Sequence, residues 1–135
     1  MGAISFDGYA LLGAIVSRMV LGGLWYSPLL FLKKWMKLAG ISEDQMKQGM
    51  GRKIAFDILG SVIMAFVMYH AIRYAEVKTA PLGVAIGFLN WLGFVAVAAV
   101  STVTYEKRPL GLYLITTGYN LISMMIMGAI IAVWG

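Results

Sequence analysis

Two ionisable side chains, Arg18 and Asp57, lie within otherwise apolar stretches of the chain. A charged residue near the centre of a bilayer costs about 2.5–3.5 kcal/mol, so such residues usually pair or take part in ion movement. Arg18 comes eight residues before Tyr26 and Asp57 five residues after Arg52, which places them about 12 Å and 8 Å from the same side of the membrane. We predict an intramembrane ion pair between Arg18 and Asp57, acting either as a proton or ion relay or as a structural link.

Uncharged polar residues form a second candidate group. They recur at helical spacing, so each helix would have one small or polar face and one face of large apolar residues. Two accounts are open: an ordinary bundle interior joined by hydrogen bonds, or a polar pocket or pore at mid-depth. Gly83 and Gly87, spaced four apart, predict a close helix contact within the bundle or between protomers. The polar residues are Ser61, Asn90, Thr116, Asn120 and Ser123.

Residues typical of enzyme chemistry are scarce. The chain has no cysteine and one histidine, His70, which excludes thiolate metal sites and does not favour a histidine-based one. Its methionines suit Cu(I) but are equally typical of apolar filler. No nucleotide-binding loop, zinc-protease motif or serine–histidine–aspartate arrangement occurs. We therefore predict no catalytic residues, no metal and no cofactor, and expect that the protein is not an enzyme.

The stretches that must position these residues are long enough to cross a membrane. Residues 79–105 and 109–135 each run for 27 residues without an ionisable Asp, Glu, Lys, Arg or His, and a membrane-spanning helix needs about 20 apolar residues. Only 13% of the chain is charged, against about 25% in soluble domains. We predict a single all-α transmembrane domain, residues 1–135, folded as a four-helix bundle. Its spans are residues 8–26, 53–74, 81–105 and 110–134.

The loop after the first span, residues 27–52, has a pattern of its own. Between residues 29 and 38, leucines and a tryptophan are mixed with three lysines, which is typical of a short amphipathic helix lying in the headgroup region. Ser42 and Gln45 have the spacing of a capping box and predict the start of a second short helix. We expect this basic loop to bind anionic lipid headgroups. The interfacial residues are Trp25, Tyr26, Lys33, Lys34, Trp35 and Lys37.

The distribution of Lys and Arg predicts the orientation. The loops after spans one and three contain eight Lys and Arg residues, and the opposite side of the membrane contains two. Because cytoplasmic loops are enriched in Lys and Arg, those two loops are expected in the cytoplasm and both termini outside. The net charge of +5 follows from this enrichment and does not indicate a nucleic-acid partner.

Several segments resemble the bacterial domain of unknown function 1761 family. The most specific is Trp-Tyr-Ser-Pro-Leu at residues 25–29. The resemblance implies a four-span protein of about this length in the bacterial inner (plasma) membrane, and that family has no settled activity. Members often have histidine where this chain has Asn120. The similar segments are residues 23–36, 91–96, 106–110, 118–123 and 127–130.

Three functions are compatible with this pattern. The first is a homo-oligomeric transporter or channel for a small solute or ion, since four spans alone enclose little space. The second is a non-catalytic membrane protein that binds lipid or organises a partner protein through its basic loop. The third, an enzyme acting on a lipid, is favoured least, because no residues visibly carry the chemistry.

Overall fold

The computed structural model describes residues 7–134. Residues 1–6 and 135 lie outside this range, and with them the two ends to which the predicted exterior location applies. A π-helical turn lies at Leu92–Ala96. The helices are α1 (Gly8–Trp25), α2 (Leu32–Ala39), α3 (Glu43–Lys47), α4 (Met50–Tyr74), α5 (Ala80–Trp91), α6 (Val97–Ala99), α7 (Ser101–Thr104) and α8 (Leu110–Trp134).

Four helical segments are long and apolar enough to cross a membrane. They are α1, α4, the continuous stretch from α5 to α7 (Ala80–Thr104, here called the third span) and α8. Residues 7–134 contain no β-strand, so the predicted all-α fold class is confirmed. The second span begins at Met50 rather than Lys53, because the left-handed backbone of Gly49 (φ 63°) starts a new helix there.

Short-range signals set the ends of these helices. The Asp7 carboxylate accepts hydrogen bonds from the backbone N–H groups of Tyr9 and Ala10 and so caps α1. Pro81 occupies the first turn of α5, where its missing N–H leaves no acceptor unpaired. In the loop, Ser42 and Gln45 form the reciprocal hydrogen bonds of a capping box at the start of α3.

The bundle is built around α8, which has the largest number of buried residues of any helix in residues 7–134. The third span runs antiparallel to α8, and two of its glycines lie directly on the α8 backbone. A Cβ atom at Gly83 would collide with the carbonyl oxygen of Gly128, and one at Gly87 with that of Met124. The predicted glycine contact therefore lies inside the bundle, where the two helix backbones approach each other closely.

The third span is not a regular helix, which sequence periodicity did not predict. After the π-helical turn, the N–H of Val100 bonds the carbonyl of Val97 and not that of Ala96. The Tyr113 hydroxyl from α8 donates to the Ala96 carbonyl at 2.7 Å. A side chain of the neighbouring helix thus donates a hydrogen bond to a backbone carbonyl that does not accept one from Val100 in the irregular turn.

The bundle has two ends, here called the loop end and the terminal end. The loop end carries α2, α3 and the residues between α7 and α8. The terminal end carries Asp7, Trp134 and the residues between α4 and α5. Since α1 and α4 are consecutive spans, they run in opposite directions, and the contacts of Asp7 with Tyr69 and of Arg18 with Ser61 show this.

Candidate functional site

Arg18 lies at the centre of a buried polar cluster. Its side chain is 8% exposed. One terminal nitrogen donates to Ser61 Oγ at 2.7 Å and the other to Asn120 Oδ1 at 3.2 Å. The guanidinium carbon lies 4.9 Å from the centre of the Tyr119 ring, and the Tyr119 hydroxyl donates to the Arg18 carbonyl at 2.9 Å. Arg18 therefore links α1, α4 and α8 through neutral partners, while its Nε has no hydrogen-bond partner within residues 7–134.

The structure corrects the predicted partner of Arg18. No salt bridge joins Arg18 to Asp57 among residues 7–134, where the ion pairs are Lys47–Glu43 and Arg108–Glu106. The reason is the direction of side chains on a helix, which lean toward its N-terminus. On the antiparallel helices α1 and α4, Arg18 therefore leans toward mid-depth while Asp57 leans toward the loop end. Arg18 consequently reaches Ser61, one helical turn beyond Asp57.

Asp57 instead lines a groove at the loop end of the bundle, here called the Asp57 groove. The groove has a volume of about 800 Å³ and lies between α1 and α4, with the loop helices and Tyr119 closing it. Its wall is largely apolar. The lining residues are Met19, Gly22, Gly23, Tyr26, Trp35, Gly40, Ile41, Gln45, Met46, Gln48, Met50, Lys53, Ile54, Asp57 and Tyr119.

Three aromatic side chains form one wall of the Asp57 groove. Tyr26 contacts Trp35 and Tyr119 edge-on, with ring centres 5.9 Å and 5.5 Å apart. Tyr26 directly follows the last residue of α1. A phenol hydroxyl is protonated at neutral pH, and Tyr26 lines the groove, so it can donate a hydrogen bond to a ligand there.

Lys53 is the cationic residue on the groove wall and lies one helical turn before Asp57 on α4. Its ammonium group donates to the backbone carbonyls of Gln45 and Met46, at 3.2 Å and 3.1 Å. Those carbonyls lie in α3, so Lys53 holds the loop over the groove. Within residues 7–134, the Asp57 carboxylate has neither a salt bridge nor a hydrogen bond to balance its charge.

The other predicted polar residues do not form a continuous path. Asn90 donates to the Ile86 carbonyl of its own helix, and Thr116 donates to the carbonyls of Leu112 and Tyr113. Ser123 likewise donates to the carbonyl of Asn120. The structure brings only Ser61 and Asn120 together, through Arg18. The arrangement of the others agrees with the bundle-interior account.

The predicted interfacial residues divide into two groups. The Trp25 indole donates to the Ile115 carbonyl and packs against Gly118, so Trp25 docks α1 on α8. Tyr26 and Trp35 line the Asp57 groove. The lysines of α2, by contrast, are exposed, namely Lys33, Lys34 and Lys37.

Sequence reasoning missed Tyr119 and Lys53 as site residues. Tyr119 directly precedes Asn120, but an aromatic residue in an apolar span is also ordinary core. Its role depends on Gly22 of α1, because a Cβ there would lie 2.8 Å from the Tyr119 hydroxyl.

No cluster of three or more His, Cys, Asp or Glu side chains that could hold a metal ion occurs in the described part of the chain.

Comparison with known proteins identifies the family but no function. The profile of a family described as "Protein of unknown function (DUF1761)" matches residues 9–132. No curated protein and no solved structure matches the chain significantly. Since the match covers nearly the whole chain, the protein belongs to the DUF1761 family, whose function is unknown.

Proposed function

We propose that this protein is a small membrane transporter that binds its solute in the Asp57 groove without changing it chemically. The observation that carries the proposal is Asp57 itself. It lies within a membrane-spanning helix, lines a groove of about 800 Å³ and has no ion-pair partner among residues 7–134. An ionisable group at such a position is costly and typically marks a substrate or ion pathway.

The packing of α4 supports a groove that opens at the loop end. Residues 50–60 of α4 are all exposed, whereas the second half of the helix buries residues such as Ser61, Ala65 and Met68. The first half of α4 therefore packs only loosely on the bundle. Tyr119 lines the groove and also faces the Arg18 guanidinium, so the Arg18 cluster lies next to the groove. This arrangement resembles one state of an alternating-access protein, with the binding site open to one side.

The cellular setting is part of the proposal. We infer a multi-pass protein of the bacterial inner membrane with the loop end in the cytoplasm, from the eight-to-two distribution of Lys and Arg. The groove would then open to the cytoplasm. We also propose that the protein acts as a homo-oligomer, since the exposed first half of α4 leaves one side of the groove without a helix neighbour.

Electrophysiology on solid-supported membranes tests transport directly. Purified protein in vesicles is exposed to concentration jumps of choline, tetraethylammonium, alanine and acetate, which sample cations, a zwitterion and an anion. We expect a charge displacement for at least one of them, lost in Asp57→Asn and retained in Asp44→Asn. Asp44 is the matched control because it is an exposed carboxylate of α3 outside the groove. Equal currents from wild-type and protein-free vesicles would contradict transport.

A second candidate function, lipid binding by the basic loop, is favoured by α2. Its three lysines face solvent, while Leu38 packs over Gly111 of α8 and fixes the helix to the bundle. A rigidly held row of ammonium groups suits anionic phosphate headgroups. Native mass spectrometry should then detect retained phosphatidylglycerol, which a Lys33, Lys34 and Lys37 to Gln triple variant loses. Retained lipid without any solute current would favour this function over transport.

A further inference from the structure

We propose that the Asp57 groove selects organic cations with a bulky apolar body. This inference rests on the proposed function and names the class of its ligand. Three features of the groove favour such a ligand: the unbalanced charge of Asp57, the aromatic wall and the volume.

The charged group that is free to pair with a ligand in the groove is negative. Arg18 lies close to the groove, but its terminal nitrogens donate to Ser61 and Asn120. The Tyr119 ring, which lines the groove, lies next to the guanidinium. The Lys53 ammonium is occupied by two backbone carbonyls of the loop. Among residues 7–134, Asp57 is thus the charged group on the wall that a ligand can pair with directly. Pairing it with a cation would remove the cost of an isolated carboxylate in the membrane.

The aromatic wall fits the same ligand class. Tyr26, Trp35 and Tyr119 line the groove together with Asp57, and aromatic faces attract organic cations through the negative potential above the ring. The remaining wall contains methionines, which adapt to apolar groups of varied shape. A strongly hydrated inorganic ion would gain little from such a wall, whereas an apolar cation would bury its body against it.

The volume of the groove decides between a small and a bulky cation. A volume of about 800 Å³ falls in the range of about 300–1,000 Å³ found for sites that take drug-sized molecules. A simple ammonium ion would leave most of this space empty and would forgo the contacts with the aromatic wall. We therefore expect affinity to rise with the apolar size of the cation at constant charge.

Equilibrium dialysis of the full-length protein in detergent tests the ligand class. The probes are tetraphenylphosphonium and tetraphenylborate, which have the same shape and opposite charge. We expect tetraphenylphosphonium to bind wild-type protein and Asp44→Asn equally, and Asp57→Asn about tenfold more weakly or worse. Tetraphenylborate should bind the wild-type protein more weakly than tetraphenylphosphonium and should bind Asp57→Asn more tightly than wild type, because the carboxylate repels an anion. Tetramethylammonium, the small cation, should bind more weakly than tetraphenylphosphonium.

A second variant covers the case in which Asp57→Asn does not fold. Trp35→Leu keeps the carboxylate and removes one aromatic face, and it should weaken tetraphenylphosphonium binding several-fold because the cation–π contact is lost. Unchanged tetraphenylphosphonium binding in Asp57→Asn, or in Trp35→Leu where Asp57→Asn does not fold, would overturn the proposal, and so would stronger binding of the anion than of the cation to the wild-type protein. So would an Asp57→Asn change that dissociates an oligomer while the wild-type protein binds no cation, since the partner of Asp57 would then be a second copy.

The binding and current experiments separate this inference from transport. Asp57-dependent cation binding with no solute current leaves the ligand class standing and removes the transport function. An Asp57-dependent current for alanine or acetate, without binding of tetraphenylphosphonium, does the reverse.

Discussion

At the residue scale, Arg18 shows how a full charge is kept near mid-depth of a helix without a carboxylate beside it. Ser61 and Asn120 accept its hydrogen bonds, and the Tyr119 ring faces the guanidinium. Hydrogen bonds to a charged group contribute about 1.5–3 kcal/mol each, and a cation–π contact about 0.5–2 kcal/mol. Together these contributions offset an insertion cost of about 2.5–3.5 kcal/mol. A structural role is therefore sufficient to explain a charged Arg18 in the membrane. Asp57 is not needed as its partner and remains available for a ligand.

Replacing Asn120 with alanine should destabilise the protein more than the same change at Asn90. Asn120→Ala removes an acceptor of the buried guanidinium, and we expect a loss of about 1.5–3 kcal/mol. In the described part of the chain, the Asn90 side chain bonds only the Ile86 carbonyl of its own helix, so Asn90→Ala should cost well under that amount. Thermal unfolding of both variants in the same detergent measures the difference. Equal losses would show that the Arg18 cluster contributes nothing beyond ordinary helix packing.

The residues of this site were only partly accessible from sequence. Arg18 and Asp57 stand out because charged residues are rare in apolar spans. Arg18 lies in the buried polar cluster and Asp57 lines the groove. Their pairing was mispredicted because depth along two helices says nothing about the opposite lean of their side chains. Tyr119 gave no signal of its own, since its position depends on the missing side chain of Gly22 on another helix.

At the element scale, the long helices follow from apolar length, capping residues and prolines, which are local properties of the chain. The irregular third span does not, because it depends on a partner. The Tyr113 hydroxyl of α8 donates a hydrogen bond to the Ala96 carbonyl of the third span. The sequence of residues 92–96 does not predict that contact. The Asp57 groove is unpredictable for the same reason: its wall combines α1, the loop helices, α4 and α8, which meet only in the folded bundle.

The glycine contact between the third span and α8 gives the element-scale prediction. In Gly87→Ala, the new Cβ would press on the Met124 carbonyl and lie 2.9 Å from the Met125 Cα, so the helix backbones must move apart. We expect a loss of about 1–3 kcal/mol, as for overpacking elsewhere. Gly60→Ala is the matched control, because within residues 7–134 the added Cβ would meet no atom within 4 Å apart from its chain neighbours and the nearby backbone of its own helix; it should leave stability unchanged or raise it by up to about 1 kcal/mol.

Thermal unfolding and particle size in mild detergent report on both glycine variants. A lower melting temperature for Gly87→Ala with unchanged particle size would agree with a contact inside the bundle. Dissociation of an oligomer without loss of helix stability would contradict that location and move the contact to a protomer interface.

At the scale of the whole molecule, the loop end and the terminal end differ in the groups they carry. The loop end has the exposed lysines of α2, the Asp57 groove and the charged residues between α7 and α8, whereas the terminal end offers few cations. Such asymmetry is what orients a multi-pass protein during insertion. It also decides from which side a solute would reach Asp57, so orientation and proposed function are linked.

Site-directed labelling measures this orientation, and the absence of cysteine in the native chain makes it unambiguous. Lys37→Cys places a thiol on exposed α2 at the loop end, and Lys78→Cys places one between α4 and α5 at the terminal end. With the loop end in the cytoplasm, a membrane-impermeant maleimide added to intact cells should label Lys78→Cys alone, and permeabilised cells should label both. Labelling of Lys37→Cys alone in intact cells would show that the protein has the opposite orientation. The Asp57 groove would then open to the exterior and take up solute from there.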